Sequence, residues 1–218
     1  MRRYFTYIIF LCFCGLLLGQ TPTPMVTIKG GSYIPLYGVK GEDKATKPVN
    51  VKSFQLDIYP VTNAQYKAFL EKHPEWQRSQ VKGIFTQKSY LSHWQSDLDF
   101  SPLDAQAPVT HISWFAAKKY CECEGKRLPT TDEWEYVAQA DAQSIDARKK
   151  KHYQEYIVRS MQTPKTYLQK VGSTPKNYWG VYDMHGLVWE WVADFNSVLL
   201  SGDSRKDKQG DDALFCGG

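Results

Sequence analysis

Two groups of side chains in this 218-residue chain could carry chemistry. The first is the run Asp183–Glu190, DMHGLVWE, where two carboxylates flank a short apolar stretch containing a glycine. A hard cation such as calcium needs six or more oxygens, and a short loop can supply carboxylates together with backbone carbonyls. The competing reading is that Glu190 pairs with a buried arginine. The second group is the thiols Cys121, Cys123 and Cys216. Cys121 and Cys123 stand two apart in a helical pattern, so their side chains point about 200° apart and cannot easily chelate one ion together. Cys121 with Cys216 remains open. His73, His93, His111, His152 and His185 show no H-x-x-x-H spacing, and each reads as a hydrogen-bonded structural residue.

The elements that must position these groups can be read from periodicity and caps. Met25–Tyr33 reads as a strand running into a Gly-Gly turn, and Val49–Tyr59 as a half-buried strand that slips at Ser53, consistent with a bulge. Thr62 and Gln65 form a capping box ahead of a helix that buries Tyr66, Phe69 and Leu70. Pro74–Pro108 loses periodicity and reads as a long structured loop or insertion. A second helix runs from Ser113 to Glu124, with Trp114, Ala117 and Cys121 on one face and Gly125 as its left-handed stop. A third opens at Thr130, with Glu133 as reciprocal cap and Trp134, Val137 and Ala138 inward. Ile145–Met161 reads as a charged, exposed helix. Beyond Val171, Tyr178–Tyr182 and Leu187–Phe195 read as short antiparallel strands between glycines, with Trp189 and Trp191 in the core. Helices first and short strands later give an α+β, loop-rich fold.

Composition bounds the rest. Hydrophobic residues make up 42% and charged residues 23%, enough apolar material for one packed domain. Trp, Tyr and Phe number 7, 14 and 10, which favours an irregular aromatic core over a helical bundle. Arg2 and Arg3, the apolar run Ile8–Leu18, Gly19 and the Thr-Pro repeats describe a signal peptide over residues 1–19. The run is shorter than the ~20 residues that span a bilayer. The expectation is an exported product, periplasmic or secreted, with no stable membrane insertion after cleavage. Loss of Arg2 and Arg3 takes the formal charge from +4 to +2, which gives no support to a nucleic-acid partner. The basic run Arg148–Lys151 reads as a solvated helix face. Cys12 and Cys14 leave with the signal. The remaining odd number of cysteines then means one disulfide and a free thiol, or a partner that is missing.

Three stretches give the chain a family resemblance: FQLDIYPVTNAQYKAF (Phe54–Phe69), PVTHISWFAAKKYCECEGKRLPTTDEWEYVA (Pro108–Ala138) and GVYDMHGLVWEWVAD (Gly180–Asp194). With Gly30-Gly31 near the start, they resemble, in order, the motifs of the formylglycine-generating enzyme (sulfatase-modifying factor) family. The resemblance covers residues 25–218 and implies an irregular α+β domain related to C-type lectins.

The resemblance also implies site residues. Asp183 and Glu190 match positions that give side-chain oxygens to calcium, and Gly186 and Val188 match positions that give carbonyls. A second calcium site of the family needs W-G and N-x-x-x-G patterns that Gln139–Lys170 lacks, so one site is expected. The family's oxidases hold copper(I) between two thiolates near the C-terminus, and soft thiolates suit that ion. Gly217-Gly218 aligns with the Gly-Gly that precedes this pair. The resemblance therefore implies that the copper cysteines and closing strands lie beyond the end of this sequence. Cys121 matches a cysteine that pairs with a C-terminal one, and Cys216 is not at the catalytic position. A histidine-held iron site, as in ergothioneine-type relatives, is not visible. The expectation is a noncatalytic or catalytically incomplete protein that binds a protein or peptide partner. The alternative is a copper-dependent oxidase converting a substrate cysteine to formylglycine in exported sulfatases.

Overall fold

The computed structural model describes residues 23–36, 47–162 and 169–194. The expected signal peptide (1–19) and Cys216 lie outside them.

The first layer is a two-stranded ribbon. β1 (Met25–Ile28) pairs antiparallel with β4 (Phe54–Asp57), and β2 (Gly31–Tyr33) pairs with β3 (Val49–Val51). Ile28 faces Phe54 and Gly31 faces Val51, so one register runs through both pairs and is interrupted at Lys29-Gly30 opposite Lys52-Ser53. The slip in alternation at Ser53 is where the long strand breaks. There the Ser53 hydroxyl donates to Ile28 O at 2.9 Å. A Cβ on Gly30 would sit 2.5 Å from Val51 O and 2.7 Å from Ser53 N, so the crossing admits only glycine.

Thr62 opens α1 (Asn63–Lys72) with the expected capping box, and Tyr66, Phe69 and Leu70 are buried. The Pro74–Pro108 connection holds two 3₁₀ turns, Pro74–Trp76 and Pro102–Asp104. It is irregular but packed: Tyr90, Leu91 and Trp94 close over α1 and α2 in a shared core. Its buried polar groups are paired, for example Tyr66 and Tyr90 hydroxyls at 2.8 Å and Trp94 Nε1 donating to Asn63 Oδ1 at 3.2 Å. Pairing of this kind lets a structureless run be buried.

α2 (Trp114–Cys123) starts at the Ser113 cap and stops at Gly125, φ +68°. α3 (Thr131–Ala138) carries the second capping box. Val137 and Ala138 are buried as expected, while Trp134 is half-buried.

Three expectations are corrected. The charged helix begins at Lys151, not Ile145: α4 spans Lys151–Gln162. The preceding turn is held instead by Asp141, which accepts from the Gln143 and Ser144 amides at 2.9 and 2.6 Å. The basic run is therefore not one helix face. Arg148 pairs with Asp146 at 2.8 Å and Lys150 with Asp141 at 2.7 Å, and both precede α4. Among the described residues, 171–194 form no strand. Side chains and isolated main-chain bonds take the place of a ladder: Asn177 Oδ1 accepts from the Trp179 and Val181 amides, Asp183 accepts from Gly172 and Thr174, and Tyr182 N donates to Ile58 O at 3.0 Å. The result is an α+β arrangement of four helices and two small sheets among the described residues.

Candidate functional site

A cleft of about 970 Å³ opens between the ribbon, the inner face of α2 and the 181–191 segment. Its walls are mostly apolar, and Phe54, Leu56, Tyr120 and Leu128 contribute to them. The 191–194 segment is tied to the caps of α2 and α3. Trp191 Nε1 donates to Ile112 O at 3.0 Å, Trp114 Nε1 donates to Val192 O at 2.9 Å, and Asp194 accepts from Thr131 N at 2.7 Å. These long-range bonds fix where residues 183–190 lie.

Asp183 is buried, at 1% exposure, with φ +61°. One carboxylate oxygen accepts from Thr174 N at 3.0 Å and the other from Gly172 N, while its own N–H donates to Thr174 Oγ1 at 2.7 Å. Gly186, φ +92°, is the contact point for α4: a Cβ there would meet Ser160 Cβ at 3.0 Å. Val188 lines the cleft.

Glu190 does not meet an arginine. Its Oε2 accepts from Trp134 Nε1 at 2.7 Å. Crowding by the protein pushes the carboxyl up to about 7, the Trp134 bond opposes this, and the nearby Asp183 charge adds to it. Glu190 keeps an exposed surface at the cleft rim, so water screens part of the effect and only its direction bears on the chemistry. Neither Asp183 nor Glu190 is ion-paired among the described residues. Each ionised carboxylate has about four acceptor positions, so the amides and the indole leave room for a further donor or a cation. Among the described residues no group of three or more His, Cys, Asp or Glu side chains is placed to hold a metal ion, so a hard cation at this loop would have to draw on these two carboxylates and on backbone carbonyls.

Trp189 corrects the expectation of a core residue: it is 95% exposed, beside Glu190 at the cleft rim. Its period-2 spacing from Trp191 suggested a shared buried face. The segment is no strand, so that periodicity does not apply.

The thiols separate as helical geometry requires. Cys121 turns toward the cleft and Cys123 is exposed. Burial pushes the Cys121 thiol up to about 11, Asp57 adds to this and Lys126 opposes it. Beside it, Lys126 Nζ meets Asp57 Oδ1 at 2.7 Å, each side chain about one-fifth exposed (21% and 20%). Burial raises the Asp57 pKa, against the opposing pull of Lys126. No local pattern could have announced this pair, since its members come from β4 and from the turn after α2. Arg127, by contrast, reaches Glu133 bidentately at 2.6 and 2.7 Å, locking the cap of α3.

In the Gln139–Lys170 interval, Lys150 Nζ donates to Asp141 Oδ2 at 2.7 Å and Ser144 Oγ at 2.5 Å. An ammonium thus sits at the centre of that turn.

The sequence model described as Sulfatase-modifying factor enzyme 1-like domain matches residues 18–218. Among individual relatives, the serine/threonine-protein kinase pkn1 of Chlamydia caviae is 33% identical over 79% of this chain. The match spans 28% of that kinase, so the chain corresponds to about a quarter of the relative's length. The mouse protein named inactive C-alpha-formylglycine-generating enzyme 2 is 28% identical, covering 81% of this chain and 70% of its own. Mouse formylglycine-generating enzyme is 29% identical, covering 90% and 65%. No helix among the described residues is long and apolar enough to cross a membrane.

Proposed function

The chain belongs to the sulfatase-modifying factor family, and from that premise we propose that it is an exported, noncatalytic or catalytically incomplete member acting as a binding domain. The observation that carries this reading is the cleft, whose walls are mostly apolar and whose two described thiols stand apart, Cys121 facing it and Cys123 exposed. The relative named inactive supports the same reading.

The partner is a protein or peptide segment with apolar side chains. The cleft is apolar, and Trp189 stands at its rim with the large, rigid surface that anchors binding partners. Calcium bound by Asp183 and Glu190, with carbonyls of Gly186 and Val188, would fix the loop that carries Trp189. The protein's own residues do the rest: Trp134 orients Glu190, and the amides of Gly172 and Thr174 orient Asp183.

The alternative, a copper-dependent oxidase acting on a substrate cysteine, draws on the similarity to the mouse formylglycine-generating enzyme. One assay separates the two. The purified chain is incubated with copper(I), oxygen and a Cys-x-Pro-x-Arg peptide. The binding reading expects an unchanged peptide thiol; aldehyde formation at that cysteine establishes the oxidase instead.

A further inference from the structure

Outside the cleft, the Pro74–Pro108 connection carries an apolar tip. Phe85 N donates to Lys82 O at 2.9 Å, a turn that puts Gly83 and Ile84 at its corner. A Cβ on Gly83 would meet nothing within 4 Å, and Ile84 is 72% exposed. Turn corners favour Gly, Pro, Asn, Asp and Ser, which set the backbone or bond to it. Isoleucine does neither, so nothing local accounts for its place there.

The tip is buttressed from below. Phe85, itself 37% exposed, leans on Trp76 with ring centroids 5.9 Å apart and on Phe115 at 5.6 Å. Phe115 in turn meets Trp114 at 5.3 Å, and Lys118 Nζ lies 5.1 Å from the centre of the Trp114 ring. A row of rings thus joins the tip to an exposed lysine on α2. Lys82 and Lys88, on either side of the tip, are exposed as well. None of these three lysines is ion-paired among the described residues. Glu75, next to Trp76, faces His73 Nδ1 at 3.5 Å, and Asp97 accepts from Ser79 N at 2.9 Å.

We propose that this tip docks on an anionic lipid surface, Ile84 and the free edge of Phe85 entering the headgroup boundary while Lys82, Lys88 and Lys118 meet the lipid charges. An aliphatic and an aromatic side chain among unpaired lysines supply both parts of such binding, buried apolar area and attraction to anionic headgroups. A protein partner fits less well, because two side chains offer far less than the roughly 800 Å² per partner of a standard interface. Docking of this kind is reversible and crosses no bilayer.

The test is co-sedimentation with vesicles of equal parts phosphatidylglycerol and phosphatidylcholine, against vesicles of phosphatidylcholine alone. The chain is used from Gln20 onward, so that the apolar run Ile8–Leu18 does not itself bind lipid; the described domain begins at residue 23 and is left whole. The mixed vesicles should carry the chain down and the neutral ones far less. Ile84→Ser should lower the partition coefficient roughly tenfold, and Lys82→Gln combined with Lys88→Gln should lower it roughly fivefold per charge removed. Val158→Ser, which removes a half-exposed apolar side chain from α4, should change nothing. Binding that Ile84→Ser leaves unchanged, equal binding to both vesicles, or no binding overturns the proposal. So does a dimer in lipid-free sedimentation equilibrium that Ile84→Ser dissociates, which makes the tip a contact between copies.

Discussion

The indole N–H of Trp134 donates to Oε2 of Glu190 across 2.7 Å, joining α3 to a loop fifty-six residues away in sequence. Trp134 also meets the His185 ring edge-on, with centroids 5.8 Å apart at 85°. One half-buried tryptophan therefore fixes the orientation of the carboxylate at the cleft rim.

That carboxylate gives a pH prediction. Its folded pKa lies above its ordinary value of 4.5. The folded chain thus binds the proton more tightly than the unfolded one, and the stabilisation is full below about pH 4.5 and lost as pH rises through the folded value. Without added metal, thermal unfolding of the natural chain compared with Glu190→Gln should show this slope only in the former. Calcium, which competes for the ionised form, should raise the melting temperature more at pH 8 than at pH 5.5, and Glu190→Gln should lose most of that gain. A calcium response that Glu190→Gln leaves intact removes Glu190 from the site.

The Asp141 turn gives the opposite sign. Burial pushes the Asp141 pKa up, but Lys150 and the Gln143 and Ser144 amides outweigh it and hold the carboxyl well below its ordinary value. The stability it contributes is present above about pH 4 and is lost as pH falls toward the folded value. Asp141→Ala should destabilise by about 1–3 kcal/mol at pH 7, through amides and an ammonium left without their acceptor. Urea unfolding at pH 7 and pH 3 should show this difference shrinking in acid.

The cysteines should label at different rates. Cys123 is exposed, whereas Cys121 is raised to about 11 and faces the cleft wall. Reaction follows the thiolate fraction. Alkylation at pH 8, followed by peptide mass mapping, should modify Cys123 at least about tenfold faster than Cys121. Equal rates would mean that the cleft thiol is ionised and available as a soft-metal ligand.

Gly30 tests the ribbon. Gly30→Ala places a methyl 2.5 Å from a backbone carbonyl that cannot swing aside. A loss of about 1–3 kcal/mol is expected, read as a lower urea midpoint.

Trp189→Ala should change stability by no more than about 0.5 kcal/mol, because the side chain is 95% exposed. Binding to any peptide the cleft accepts should weaken strongly, measured by fluorescence anisotropy of the labelled peptide. Unchanged affinity places the binding surface elsewhere.

The local elements follow from neighbouring residues alone. Both capping boxes, Thr62 with Gln65 and Thr130 with Glu133, the Gly125 stop and the buried stripe Tyr66, Phe69 and Leu70 were legible, because each depends on residues within one or two helical turns. The break at Ser53 announced itself as a lost alternation. The family was legible too, since its motifs are contiguous. How distant segments satisfy one another depends on the folded arrangement. Glu190 meeting an indole, Asp57 meeting Lys126 and Trp189 turning to solvent follow from loops placed by long-range bonds such as Trp191 to Ile112. In 171–194 the amides of Gly172, Thr174, Trp179 and Val181 are satisfied by Asp183 and Asn177 side chains and others by scattered main-chain carbonyls rather than by a ladder, so a strand period there predicts no face. Leu91 likewise reaches the core from a left-handed backbone, φ +46°, with its amide donating to His111 O, a pairing that no local spacing could reveal.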